Sequence, residues 1–285
     1  MEHPALVCRR KRSEPHARLV SFPHAGGSEH DYAGWDESLP RWLEVHSIAY
    51  PGRGSRPGEP FYESMEAAAV ECHAAIRTIA DRPLFLVGHS FGALMAVEVA
   101  MRLTTDGMSP LRLFVSSMPP PHLVTAWKVS LTAMPDAQLL TALARRGWLS
   151  AATAENGGTA LVGYALPSLR ADLRLLEMYE RHSATVLVPI TAIAGELDAS
   201  VSLAELKEWA QWSAGEFEVE TVHGGGHFFI ETHDGLLCAI IALSVVSLAV
   251  SNSSGLINAD SRARASPGTS FDCRNGASRP CRGVS

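Results

Sequence analysis

Gly88-His89-Ser90-Phe91-Gly92 sets a serine between two glycines, directly after the apolar run Leu84 to Val87 and directly before the helix-forming run Ala93 to Leu103. Strand, Gly-x-Ser-x-Gly turn and helix together make a nucleophile elbow, in which the glycines allow a tight, strained bend that lifts a hydroxyl above the sheet edge. The bare pentapeptide also arises by chance as a structural turn, and it is the flanking elements that point to a nucleophile. A serine hydroxyl attacks poorly until a base takes its proton, so a histidine must reach it. Twelve histidines are available. Where such an elbow is used, the acid follows the serine along the chain and the histidine comes last, after the final strand. His227 fits that place, in Gly224-Gly225-Gly226-His227-Phe228-Phe229 beyond the run Phe217 to Val222; His223 and His233 are its rivals. His223 and His227 have the spacing of metal ligands on a helix, but three intervening glycines oppose a helix there, so no metal is expected.

The acid belongs on the turn after the penultimate strand. Ile190 to Ala194 is followed by Gly195-Glu196-Leu197-Asp198. A carboxylate at Asp198 would accept the second ring proton of His227 and hold its tautomer, whereas Glu196 reads as a competitor or as a solvated loop charge. The oxyanion formed on attack needs backbone donors. The N–H of Phe91, next after the nucleophile, is one; the other is expected from the loop Phe22-Pro23-His24-Ala25-Gly26-Gly27, at Ala25, where small residues let the backbone close on a substrate oxygen. The bland alternative for that loop is a simple Gly-Gly turn.

Six short apolar runs would carry these loops: Leu19 to Phe22, Val45 to Tyr50, Leu84 to Val87, Leu111 to Val115, Ile190 to Ala194 and Phe217 to Val222. They alternate with helical periodicity, the pattern of a mostly parallel sheet covered on both faces. Met65, Ala68, Cys72, Ile76 and Ile79 share one helix face, with Ser64 as N-cap and Asp81-Arg82-Pro83 as stop. Ser202 and Glu205 have capping-box spacing. Residues 119–188 are too many for one crossover. They carry two helical patterns, one from Pro135-Asp136 to Gly147 and one from near Ser168, and are expected to form a helical insertion over one end of the sheet. The alternative is a pair of ordinary connecting helices.

Composition narrows the class further. With 46% hydrophobic and 19% charged residues the chain is globular, and a net charge of -6 provides no basic face for nucleic acid. Five scattered cysteines (Cys8, Cys72, Cys238, Cys273, Cys281) without a C-x-x-C pair argue against a disulfide framework or zinc ribbon and for a reducing, cytoplasmic compartment. The basic cluster Arg9 to Arg12 is followed by a polar stretch, so no secretory signal is read there. Leu236 to Val250 is shorter than the roughly 20 apolar residues of a spanning helix, so a packed last helix is expected rather than a membrane span. Residues 251–285 turn to Ser, Asn, Gly, Arg and Pro, with five Arg against two Asp, and are expected to stay disordered.

Phe22 to Gly27, Pro51-Gly52-Arg53-Gly54, Gly88 to Gly92, Pro167-Ser168-Leu169-Arg170-Ala171-Asp172, Gly195 to Asp198 and Gly224 to Phe229 occur in the order seen in type II thioesterases, which edit polyketide and nonribosomal peptide synthesis. Over residues 17–245 the chain resembles that family. The resemblance implies an α/β-hydrolase fold with residues 119–188 as the lid, Ser90, Asp198 and His227 as the triad, and no cofactor. It also implies hydrolysis of acyl groups from the phosphopantetheine arm of acyl or peptidyl carrier proteins. Three features depart from the family pattern: Phe91 stands where methionine is common, the last helix is more apolar, and the segment after Val250 has no counterpart. Arg53 reads as a solvated turn charge or as a contact for the arm's phosphate, and Asp172 as a partner of Arg170 or Arg174. Two other functions remain in play, a free-substrate carboxylesterase or acyltransferase of the same fold and a non-catalytic carrier-binding protein.

Overall fold

The computed structural model describes residues 3–124, 131–149, 165–180, 186 and 188–263, with side chains as far as residue 248. Seven strands form one sheet: β1 (Leu6–Val7), β2 (Ala17–Phe22), β3 (Leu43–Ile48), β4 (Leu84–His89), β5 (Arg112–Ser116), β6 (Ile190–Gly195) and β7 (Phe217–Val222). Their order is β1-β3-β2-β4-β5-β6-β7, all parallel except β1, which pairs antiparallel with β3 (Leu6 with Ile48, Val7 with Ser47). Every residue of β3, β4, β5 and β6 is buried, as a parallel sheet covered on both faces requires, while β7 at the edge is largely exposed.

The described α-helices are α1 (Trp35–Ser38), α2 (Met65–Arg77), α3 (Phe91–Thr105), α4 (Asp136–Arg145), α5 (Leu166–Met178), α6 (Leu203–Lys207), α7 (Phe229–Thr232) and α8 (Asp234–Ala263). Ser64 caps α2 by accepting from the Ala67 N–H (3.1 Å), with Met65, Ala68, Cys72 and Ile76 buried. Ser202 and Glu205 form the expected capping box on α6. The main core gathers Val20 and Phe22 of β2, Leu86 of β4 and Val115 of β5 with Ala68 and Cys72 of α2 and Leu94 and Val97 of α3. A separate small core joins α4 to α5 through Leu139, Leu143, Leu166 and Leu173, with Leu131.

Two differences from the sequence reading have physical reasons. β1 is missing from it because a two-residue strand carries no periodicity. The last helix runs past Val250 to Ala263, into the segment expected to stay disordered. Serine and asparagine lower helix propensity only modestly, so a helix already nucleated upstream can extend through them. Residues 264–285 lie outside the described ones. The chain divides into two compact units, Met1–Ala242 and Leu243–Ser285. Among the described residues no helix is long and apolar enough to cross a membrane.

Candidate active site

The strand order reverses at β2, which lies between β3 and β4. Loops leaving the carboxyl ends of β2 and β4 therefore diverge and open a crevice, the usual ligand position in such sheets. Ser90 stands on the β4 side, at φ 53° and ψ -123°. A non-glycine residue held at positive φ costs about 1–3 kcal/mol and persists only where its surroundings fix it. Here the Ser90 N–H donates to the Ser116 carbonyl of β5 (2.8 Å), and the Ser90 carbonyl accepts from the Ala93 N–H (2.8 Å). Both flanking glycines are sterically required. A Cβ on Gly88 would lie 2.1 Å from the Gly92 carbonyl oxygen, and one on Gly92 would lie 2.0 Å from the Phe22 carbonyl oxygen of β2.

The loops after β6 and β7 bring the other two groups to the hydroxyl. His227 Nε2 lies 3.2 Å from Ser90 Oγ, and its Nδ1 lies 3.0 Å from Asp198 Oδ2. Their side chains are 3% and 0% exposed, so the pair is shielded from water and salt. Burial alone would push the Asp198 carboxyl up. The hydrogen bond and charge of His227, with two bonds from Ser200, outweigh it and bring the carboxyl down to about 2. Ser200 is the partner that sequence reasoning missed: its N–H (2.9 Å) and Oγ (2.5 Å) both donate to Asp198 Oδ1, and its Oγ lies 2.9 Å from His227 Nδ1. Asp198-Ala199-Ser200 carried a signal, because an aspartate commonly binds the backbone two residues on. With two oxygens facing Nδ1, the network assigns the ring proton there and leaves Nε2 as an acceptor for the Ser90 hydroxyl.

The rival residues sit elsewhere. Glu196 accepts from the Gly224 N–H (2.9 Å) and lies 3.6 Å from His223, whose side chain is 86% exposed, so these two form a surface pair. His233 contacts Thr232 Oγ1 (2.8 Å). His24 lies 3.3 Å from Asp31, with its Nδ1 3.0 Å from the Ala25 carbonyl. His89 is buried under His227 (ring centroids 5.3 Å apart), with Nδ1 2.9 Å from Ser116 Oγ. Burial, with His227 and His24 nearby, holds His89 well below the usual imidazole range, so it stays neutral beneath His227.

Ala25 and Phe91 line the same cavity as Ser90 and His227, a partly open space walled by Leu143, Trp148, Leu169, Leu173 and Leu176. Phe91 opens α3, whose first amides have no intrahelical acceptor and carry the positive end of the helix dipole. In the β2 loop the Gly26 N–H donates to Asp172 (2.8 Å) and the Gly27 N–H to the His24 carbonyl (3.0 Å), and neither bond uses the Ala25 amide. A second, partly open cavity shares Ala25, Trp148 and Leu169 and extends toward Leu140, Leu149 and Leu166. Arg53 and Asp172 differ from the sequence reading. Arg53 is 4% exposed and pairs with Asp172 (2.8 Å), so it is no solvated charge and is closed to a phosphate. Arg170 pairs instead with Asp136 (2.6 Å). Residues two apart on a helix do not face one another, which is why neither Arg170 nor Arg174 suits Asp172.

Among the described residues one cluster has metal-ligand chemistry, Cys8, Glu44 and His46, with ligand atoms within 4.8 Å of one another. Its carboxylate already accepts from the Arg12 N–H (2.8 Å) and from Arg18 Nε (3.0 Å), and the guanidinium opposes a second cation.

A parallel sheet with a nucleophile elbow after β4, an acid after β6 and an imidazole after β7 is a serine hydrolase architecture of the α/β-hydrolase fold. The chain belongs to the thioesterase domain family, whose model matches residues 17–243. It is 36% identical over 233 residues to the AMB antimetabolite synthetase AmbE of Pseudomonas aeruginosa, covering 80% of this chain but only 11% of that much longer protein. RedJ, a thioesterase from the prodiginine biosynthetic pathway in Streptomyces coelicolor, superposes with a TM-score of 0.73 at 33% identity, over 80% of this chain and 90% of RedJ. BorB, the type II thioesterase from the borrelidin biosynthetic cluster, superposes at 0.72 with 29% identity, over 85% of this chain and 96% of BorB.

Proposed function

We propose that the chain is a type II thioesterase that clears stalled or misprimed acyl groups from the phosphopantetheine arms of acyl or peptidyl carrier proteins, with Ser90 as nucleophile, His227 as base and Asp198 as its orienting acid. The observation that carries this reading is the 3.2 Å approach of His227 Nε2 to Ser90 Oγ at the wall of an apolar cavity. Ser90 Oγ attacks the thioester carbonyl carbon while His227 Nε2 takes its proton, and the oxyanion settles on the amides of Ala25 and Phe91. The carbon–sulfur bond then breaks, and the imidazolium returns the proton to the departing sulfur, a weak demand for a thiol with a pKa near 8.5. A water gives a proton to His227 and attacks the acyl carbon, and collapse releases the acid and restores Ser90. Sulfur donates weakly into the carbonyl, so triad, amides and water suffice without metal or cofactor.

The apolar wall beside Ser90, made by Phe91, Leu143, Leu169, Leu173 and Leu176, suits an acyl group. The described part of the 119–188 insertion acts as the lid, through Leu143 of α4, Trp148 just past it and Leu169, Leu173 and Leu176 of α5. An open depression that also reaches His227, edged by Arg145 and Arg146, supports arrival of the anionic arm there. Cys72 and Cys238 are buried thiols outside any disulfide, and burial pushes each up to about 12, in keeping with a reducing cytoplasm. The test offers a panel of acyl-loaded carrier proteins to wild type and Ser90→Ala. Wild type is expected to release short acyl groups, with a loss of roughly a thousandfold or more in the variant. Equal release by both rejects the nucleophile. Faster cleavage of small free esters than of carrier-bound thioesters would favour the carboxylesterase alternative.

A further inference from the structure

We infer that Asp172, held by Arg53, is a positioning residue that ties the oxyanion loop to helix α5, so that the oxyanion site is complete only while α5 is seated. The inference rests on the reading above, with Ser90 as nucleophile and the Ala25 N–H as donor. Asp172 Oδ2 accepts twice, from the Gly26 N–H at 2.8 Å and from Arg53 Nη2 at 2.8 Å. Gly26 follows the donor directly, so the peptide plane whose N–H Asp172 holds is the one that begins at the Ala25 carbonyl.

Both charges are buried, at 4% exposure each, and the guanidinium sits 4.9 Å from the centre of the Tyr50 ring. Among the described residues Arg53 Nε and Nη1 have no hydrogen-bond partner, and the carboxylate that meets the Arg53 charge there is Asp172. Against an apolar pair of similar volume, such a buried ion pair gives little net stability. What it does give is an acceptor fixed in place for one amide.

Packing supports the same link. A Cβ on Gly26 would lie 2.9 Å from Leu169 Cβ, so α5 rests on bare backbone there. Leu169 and Asp172 are three apart and share one helix face. Leu169 also walls both cavities, so the helix that feels the acyl group is the one that holds the loop. Farther along α5, Leu175 and Leu176 belong to the main core, and the Tyr179 hydroxyl just past its end donates to Glu98 of α3 (2.9 Å). α5 thus joins the small lid core to the body of the enzyme.

The test compares Arg53→Met/Asp172→Asn with Arg53→Met/Asp172→Leu. Neither has the ion pair, but only the first keeps an oxygen for Gly26. Two pantetheine probes are used: a trifluoromethyl ketone, which forms an oxyanionic adduct with the serine, and an unreactive thioether that reports ground-state binding. The Leu variant is expected to lose about 100-fold in kcat and in ketone affinity relative to the Asn variant, the size of a 1 Å misplacement, with thioether affinity shared by both. Equal ketone affinity in the two overturns the inference, as does a loss that falls equally on the thioether. Should a variant fail to fold, hydrogen exchange in wild type decides: the Gly26 amide is expected to open with the amides of α5, and independent opening overturns the link. A ketone that forms no adduct at Ser90 in wild type overturns the underlying reading instead, so the two failures are distinguishable.

Discussion

Replacing Gly92 with alanine perturbs the elbow at its tightest point. The added methyl would lie 2.0 Å from the Phe22 carbonyl oxygen and 2.5 Å from that of Pro23, where real Cβ contacts begin near 3.0 Å. Both obstacles are backbone, so the start of α3 must move away from the end of β2 by about 1 Å, the difference between clash and contact. That displacement separates the Phe91 amide from the Ala25 amide and stretches the 3.2 Å approach of Ser90 Oγ to His227 Nε2 beyond a good hydrogen bond. A misplacement of 1 Å costs on the order of 100-fold in rate, and overpacking a filled core costs about 1–3 kcal/mol in stability. The assay is turnover of a short acyl thioester of N-acetylcysteamine, alongside thermal unfolding. Gly235→Ala serves as the control, since nothing lies within 4 Å of a Cβ there. Undiminished turnover and an unchanged melting temperature in Gly92→Ala would refute the claim that this close approach positions the hydroxyl and the donor.

Ser200→Ala removes a donor to the Asp198 carboxylate and should lower kcat by roughly tenfold, the worth of one hydrogen bond to a charged group, while His223→Ala should leave turnover unchanged. The Asp198 carboxyl lies at about 2, below the ordinary value near 4, so its stabilising contribution is complete above about pH 4 and fades as pH falls toward 2. Urea unfolding from pH 5 to pH 2 should therefore destabilise wild type more than Asp198→Asn; parallel curves would contradict the assignment. Trp148→Ala opens the partition between the two cavities and should shift kcat/KM toward longer acyl chains by roughly tenfold or more, measured on a chain-length series.

Much of this arrangement was legible because sequence-local rules govern it. Buried parallel strands read as apolar runs, and β7 begins and ends where the pattern places it. Ser90, Asp198 and His227 each follow a strand end, so chain order singled out three residues that the structure brings within hydrogen-bond reach of one another. Choosing Asp198 over Glu196 and His227 over His223 needed the turn after each strand, which the Gly195 and Gly224 to Gly226 spacing marked. The contacts that sequence could not give are those made across long separations. Asp172 meets Gly26 and Arg53 only because α5 crosses the β2 loop, and no spacing along the chain encodes that meeting. Ser200 lies between these cases, near Asp198 in sequence but engaged with His227 only through the fold.

The central claim is that Ser90 carries the acyl group. Rapid quench of the enzyme with a slowly deacylating acyl thioester, followed by peptide mass spectrometry, tests it directly. One acyl adduct is expected, on the peptide bearing Ser90, that forms and decays at rates consistent with turnover. An adduct on any other residue, or steady turnover with Ser90 never modified, would contradict it.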